Sequence, residues 1–110
     1  MKVSTRDEGT AAIVKLEGEM MLGYEANDFH QAINEAVDGN KKKIVVDLKN
    51  VQFISSWGIG MLIHGYTTAK NREIDFVLAA VPDKVSKVLE VTKLSSVFQE
   101  HDTVEAALAD

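Results

Sequence analysis

Two adjacent serines, Ser55 and Ser56, are the side chains in this sequence that are best placed for chemistry. They stand where a loop enters a helical pattern, shortly after the β-branched residues at positions 44–46. A serine hydroxyl at such a point can accept a hydrogen bond from a free backbone N–H of the first helical turn. A phosphate on the same hydroxyl would be stabilised by those N–H groups and by the helix dipole. The pair therefore indicates either a plain helix cap or a phosphorylation site, and both readings stay open.

The same segment does not match two common motifs of enzymes. Gly58 and Gly60 begin like a dinucleotide-binding fingerprint, but Ile63 occupies the position of its third glycine. Ser56 does not lie in the nucleophile elbow of a hydrolase, because Ile54 occupies the position of the first glycine. We therefore expect that the protein is not an enzyme and binds no cofactor.

The histidines and the missing cysteines argue against a metal site. His30, His64 and His101 are far apart in the sequence, and none has a second histidine three or four positions away. The chain has no cysteine, which excludes disulfides, thiol catalysis and cysteine-based metal sites. The sequence thus predicts surface histidines and no metal.

The helix after the serines carries large apolar residues on two sides. Its helical spacing predicts a core-facing stripe of Ile59, Leu62, Ile63, Tyr66 and Ala69. Trp57, Met61, His64 and Thr68 then lie on the opposite side. Tryptophan and methionine are enriched in protein interfaces, although a loop could also cover Trp57. We predict a partner-binding face made of Met21, Leu22, Ser55, Ser56, Trp57, Gly58, Met61 and His64.

Strand-like and helical patterns alternate along the chain. Strands are expected at residues 11–16, 43–48, 74–79 and 97–99, with a further strand before the turn at residues 9–10. Helices are expected at residues 24–37 and 56–72, after Pro82, and after a capping box that begins at Asp102. The fold class is α/β: a small mixed sheet of four or five strands, with parallel inner strands, an N-terminal antiparallel hairpin and about four helices. We expect the helices to form a single layer on one face of the sheet.

Composition narrows the range of partners. The 110 residues suit one domain, residues 1–110, and the formal charge of −5 disfavours nucleic acid as a ligand. The basic cluster at residues 41–43 is only three residues long. No apolar run approaches the roughly 20 residues of a membrane span. We expect a cytoplasmic protein without membrane insertion, either a monomer or a weak homodimer.

Several spaced motifs resemble the STAS domains, the anti-sigma factor antagonists, over nearly the whole chain. The matching residues are Leu16-Glu17-Gly18-Glu19-Met20, Asp47-Leu48 with Val51, Phe53-Ile54-Ser55-Ser56 and Gly58-Ile59-Gly60, Val85 with Val88-Leu89, Thr92, Leu94 and Phe98, and Thr103-Val104-Glu105 with Ala107-Leu108.

This resemblance implies a STAS-like fold and a phosphorylation-controlled binding function. An unphosphorylated antagonist of this kind binds an anti-sigma factor that is also a serine kinase, and so regulates transcription. Phosphorylation ends the binding, and a serine phosphatase would reverse it. The motif assigns the phosphoacceptor to Ser56, with Ser55 as the alternative.

Two positions depart from the usual pattern of the family. Ser55 stands where the pattern has an aspartate, and Met21 stands where many phosphorylated members have an acidic residue. Both changes remove negative charge and suggest a more apolar docking face. The alternative function is a constitutive STAS scaffold or accessory subunit of another signalling or transport complex, in which the serine is not phosphorylated.

Overall fold

The computed structural model describes residues 2–18 and 26–109. Its strands are β1 (Lys2–Glu8), β2 (Ala11–Gly18), β3 (Lys43–Val51), β4 (Asp75–Ala79) and β5 (Gln99–His101). Its helices are α1 (Ala26–Asp38), α2 (Ser56–Asn71), α3 (Asp83–Val91) and α4 (Val104–Ala109). The expected order of elements is therefore confirmed.

The strands form one mixed sheet in the order β1-β2-β3-β4-β5. β1 is antiparallel to β2, and the other neighbours are parallel, as the alternating pattern predicted. The hairpin turn depends on Asp7, whose carboxylate accepts hydrogen bonds from the Gly9 N–H at 3.0 Å and from the Lys41 ammonium at 2.6 Å. Gly9 has a φ of 72°, a conformation that glycine adopts without strain. The contact with Lys41 is the main cause that lowers the pKa of Asp7.

Apolar residues cover both faces of the inner strands. The first face carries Val14, Val46 and Leu78, which belong to the large core beneath α1, α2 and α3. The second face carries Val45 and Val77, and it packs against Ala107 of α4. The expectation of a single helical layer is therefore wrong. The strand residues alternate between the two faces with a period of two, so a buried inner strand needs a cover on each side.

The predicted buried side of α2 is confirmed in part: Leu62 and Ala69 are buried and Ile59 and Tyr66 pack against the core, whereas Ile63 is exposed. Gly58, Met61, Leu62, Gly65 and Ala69 face the core. Gly65 lets α2 approach its neighbours closely, because a Cβ there would lie only 2.9 Å from Cε2 of Phe29 and 3.1 Å from Cε2 of Phe76. The spacing of the large apolar residues alone therefore does not predict the buried side of α2, because Gly65 also lies on it.

For two large residues of α2, the predicted exposure is the reverse of what the structure has. Met61, predicted as an exposed contact residue, is only 3% exposed and belongs to the core. Ile63, predicted to face the sheet, is 39% exposed.

The C-terminal elements are shifted slightly from their expected positions. β5 comprises Gln99–His101 and not residues 97–99. Thr103 caps α4, since its Oγ1 accepts a hydrogen bond from the Ala106 N–H at 3.0 Å. The prediction that Asp102 begins the capping box is one residue early.

Candidate functional site

The two serines at the start of α2 have different environments. Ser55 is the N-cap, with extended backbone angles (φ −91°, ψ 174°), and its Oγ accepts a hydrogen bond from the Gly58 N–H at 3.2 Å. Ser56 is the first residue of the helix and is exposed. Its hydroxyl contacts no hydrogen-bonding group in the described part of the chain. One serine therefore caps the helix while the next presents a hydroxyl to solvent.

Large apolar side chains lie beside this hydroxyl in the sequence. Trp57 is 69% exposed, and Phe53, in the loop between β3 and α2, is 45% exposed. Phe53 also lines a shallow groove of about 490 Å³ together with Lys84 and Val88 of α3. We call Phe53, Ser56 and Trp57 the serine surface. Exposed aromatic residues of this kind are typical of protein interfaces.

The structure sorts the predicted partner-binding residues into three groups. Ser55, Ser56 and Trp57 meet at the start of α2, and exposed His64 lies two turns further along the same helix. Gly58 and Met61 are buried beneath them and support the helix from inside. Met21 and Leu22 lie outside the described residues.

Sequence reasoning missed Phe53 as an exposed aromatic residue. Phe53 belongs to the motif that carries the family resemblance, and nothing in that motif indicates that its ring is exposed. Phe53 precedes Trp57 by four residues, a spacing that would place both rings on one side of a helix. That signal does not apply here, because Phe53 lies in the loop before α2 and Trp57 lies within α2.

The histidines are not all far apart. His30 of α1 and His64 of α2 are in contact, with ring centroids 3.9 Å apart and ring planes tilted by 42°, because the two helices pack side by side. The Nε2 atom of His30 is buried without a hydrogen-bond partner among the described residues. Burial, and secondly the neighbouring His64, lower the pKa of His30. Within the described residues no cluster of three or more metal-ligating side chains occurs.

Together these features define an α/β domain with an exposed, partly apolar serine surface at a helix start. The family model of the STAS domain matches residues 2–107, and the chain belongs to this family.

Three known proteins illustrate the likeness. An anti-sigma F factor antagonist from Paenibacillus polymyxa is 27% identical over 100 residues, which are 89% of this chain and 84% of that protein. The crystal structure of an anti-sigma factor antagonist from Mycobacterium paratuberculosis superposes with a TM-score of 0.84, at 24% identity, over 98% of this chain and 91% of that one. The Bacillus cell fate determinant SpoIIAA in its phosphorylated form superposes with a TM-score of 0.76, at 15% identity, over 98% of this chain and 97% of that one. At these identities the two structures show a shared fold.

No helix in the described ranges is long and apolar enough to cross a membrane.

Proposed function

We propose that this protein is an anti-sigma factor antagonist whose binding is controlled by phosphorylation of Ser56. The observation that carries the proposal is the division of roles between the serines. Ser55 fills the capping role, so the exposed hydroxyl of Ser56 is left for a kinase. The relatives support the general role, since the Paenibacillus protein is an anti-sigma F factor antagonist. A phosphorylated form of a similarly folded protein supports the mode of control.

The start of α2 can accept a phosphate without loss of the fold. A phosphate on Ser56 would lie at the N-terminus of a 16-residue helix, where free N–H groups and the helix dipole favour negative charge. The first turn of α2 contains no acidic side chain that would repel it. Phosphorylation therefore leaves the domain folded.

The same phosphate opposes docking on the serine surface. It adds about 1.5 to 2 negative charges beside Trp57. A partner that buries the Trp57 ring would also have to desolvate the phosphate, which costs free energy. A partner that avoids the phosphate would leave the ring exposed, and binding is weaker in both cases. Phosphorylation thus acts as a charge switch.

In this proposal the chain acts as one domain, by binding and not by catalysis. Its partners are an anti-sigma factor with serine kinase activity and a phosphatase that restores Ser56. Because sigma factors act on transcription, the protein works in the bacterial cytoplasm.

One observation favours a second candidate function, that of a constitutive STAS scaffold. Ser55, which replaces the usual aspartate of the motif, makes the capping hydrogen bond and leaves the start of α2 without acidic recognition groups. In that role Ser56 is never phosphorylated and the serine surface binds permanently.

The test compares tagged full-length variants expressed in the native cells, with captured proteins quantified by mass spectrometry. Wild type and Ser56→Ala are expected to recover an anti-sigma factor with a kinase domain, and Ser56→Asp to lose it. Ser96→Asp places the same charge on an exposed serine outside the serine surface and should bind like wild type. Equal recovery by Ser56→Asp and wild type contradicts the charge switch and supports the scaffold.

A further inference from the structure

A cleft of about 810 Å³ opens on the second face of the sheet, away from α2 and the serine surface. α4 is only six residues long and covers only part of this face. The uncovered part is floored by β1, β2 and β3, and it is walled by the loop after β4 and by the segment that enters α4. A cleft of this volume suits a small organic molecule.

The floor of the cleft carries charged side chains, whereas the part of the same face that α4 covers is apolar. Ser4 pairs with Lys15 across β1 and β2, and Lys15 pairs with Asp47 across β2 and β3, so these side chains form one row on the second face. Lys49 lies two residues beyond Asp47 on β3 and extends the charged floor. Lys15 and Asp47 are half-buried.

The cations of this floor have spare hydrogen-bonding capacity. The ammonium groups of Lys15 and Lys49 make no ion pair or hydrogen bond with any part of the chain that the structure describes. Arg6, at the edge of the cleft, uses its Nε for Glu8 at 2.8 Å. Lys15 is half-buried, so its ammonium group has lost part of its hydration, and an anionic ligand in the cleft would compensate for that loss. Lys49 is exposed and adds a second positive charge at the same floor.

The position of the cleft in the topology also favours a ligand. The connection after β4 leads to α3, which covers the first face of the sheet. The connection after β5 leads to α4, which covers the second face. In open α/β sheets, ligands bind outside the carboxyl ends of the strands. The residues that follow β4 and β5, Ala80 and Asp102, both line the cleft.

Ala80, in the wall of the cleft, has an unusual backbone conformation. Its φ is 54°, a left-handed conformation that costs a non-glycine residue roughly 1 kcal/mol. The other non-glycine residues with positive φ in residues 2–18 and 26–109 are Asn40, Glu73 and Lys93, each of which follows a helix. Ala80 instead follows a strand, and its N–H donates a hydrogen bond to the His101 carbonyl at 3.0 Å. This conformation sets the path of the cleft wall.

We propose that this cleft binds a small metabolite that carries a phosphate or carboxylate at one end and hydrogen-bond donors at the other. The anionic end contacts the ammonium groups of Lys15 and Lys49, whose two positive charges outweigh the one negative charge of Asp47 on the same floor. The donors face the carboxylates of Asp102 and Glu105 on the opposite wall. The site is separate from the serine surface and does not depend on Ser56.

Two simple probes separate the two possible anions. O-phosphoethanolamine carries a phosphate and β-alanine a carboxylate, each two methylene groups from an ammonium. They are titrated into ¹⁵N-labelled full-length protein at constant ionic strength. We expect saturable shifts of the amides of Lys15, Asp47, Ala80 and Thr103, with a dissociation constant of about 1 mM or tighter for one probe. The probe that binds more tightly identifies the anion.

Charge-removing variants test whether the floor is the site. Lys15→Met and Lys49→Met should each weaken binding of the preferred probe by roughly tenfold. Lys49 is exposed, so its variant keeps the test informative if Lys15→Met folds poorly. Lys87→Met removes the same charge from exposed α3 and should bind like wild type. Shifts that fail to saturate with both probes, or equal affinities for Lys49→Met and Lys87→Met, overturn the proposal.

Discussion

Ser55 and Ser56 are identical side chains with different backbone settings, and this difference decides their roles. The extended backbone of Ser55 aims its Oγ at the Gly58 N–H, whereas Ser56 already has the helical position in which a side chain points outward. The motif in the sequence already favoured Ser56 as the phosphoacceptor, but it did not show which serine caps the helix. The hydrogen bond of Ser55 identifies the cap, and the role of Ser56 stays a proposal.

Trp57 is the residue whose loss should separate binding from stability. Its ring is largely exposed in the isolated chain, so Trp57→Ala removes little buried surface. We expect binding to the captured partner to weaken by on the order of 2 kcal/mol, because buried tryptophans dominate interfaces. Titration calorimetry measures the affinity, and thermal unfolding should show a nearly unchanged melting temperature. A large fall in melting temperature would instead make Trp57 a structural residue.

His30 gives the fold a specific dependence on pH. Burial, and secondly His64, lower its pKa from 6.5 in the folded chain. Below about pH 6.5 the unfolded chain therefore binds more protons at this site than the folded chain does. The contribution of His30 to stability is thus complete above that pH and is lost as the pH falls through the folded pKa.

An NMR titration of the histidine rings tests this directly. In wild type, His30 should titrate below its ordinary value. In His64→Gln the pKa of His30 should move up, since one of the two causes is removed. Titration of wild-type His30 at or above 6.5 would contradict the buried, unpartnered Nε2.

At the scale of elements, α2 is the case in which residue spacing was insufficient. Counting only large apolar residues correctly placed Ile59 and Leu62 against the core but also placed Ile63 there, whereas the helix buries the side that carries Gly58 and Gly65. A hydrophobic pattern counts only apolar side chains, so it does not register a glycine, although glycine permits the closest approach of two backbones. The limits of α2, by contrast, were predicted to within one residue, since the serine start and the end of the apolar pattern mark them.

Two glycines of α2 offer a matched pair of variants. Gly65→Ala would place a Cβ 2.9 Å from the Phe29 ring, and we expect overpacking to lower the free energy of unfolding by about 1–2 kcal/mol. At Gly60 no atom lies within 4 Å of an added Cβ. Gly60→Ala should therefore raise stability by up to about 1 kcal/mol, through helix propensity alone.

Urea unfolding of both variants measures the difference. A stability gain for Gly65→Ala comparable to that for Gly60→Ala would show that α2 does not pack against Phe29 and Phe76 as described.

At the scale of the whole molecule, the sheet separates two surfaces. The serine surface belongs to the layer of α1, α2 and α3, while the charged cleft lies on the face shared with α4. The alternation of strands and helices was enough to predict the mixed sheet, its parallel core and the antiparallel hairpin. The position of α4 was not predictable, because a six-residue helix has no pattern long enough to show which face it covers.

The cleft was invisible in the sequence for a related reason. Lys15 and Asp47 interrupt otherwise apolar strands, which is a signal in itself, but only the register of β2 and β3 places them side by side. Lys15 and Asp47 are 32 positions apart in the sequence, and they become neighbours only because β2 pairs with β3.

The proposed function depends on a regulatory phosphate at Ser56. The most direct measurement is peptide mass spectrometry of the full-length chain isolated from its native cells under resting and stressed conditions. We predict a species heavier by one phosphoryl group, mapped to Ser56 and changing in abundance with condition. Persistent absence of that species, with the unphosphorylated chain recovered in a stable complex under both conditions, would contradict the switch and leave the constitutive scaffold.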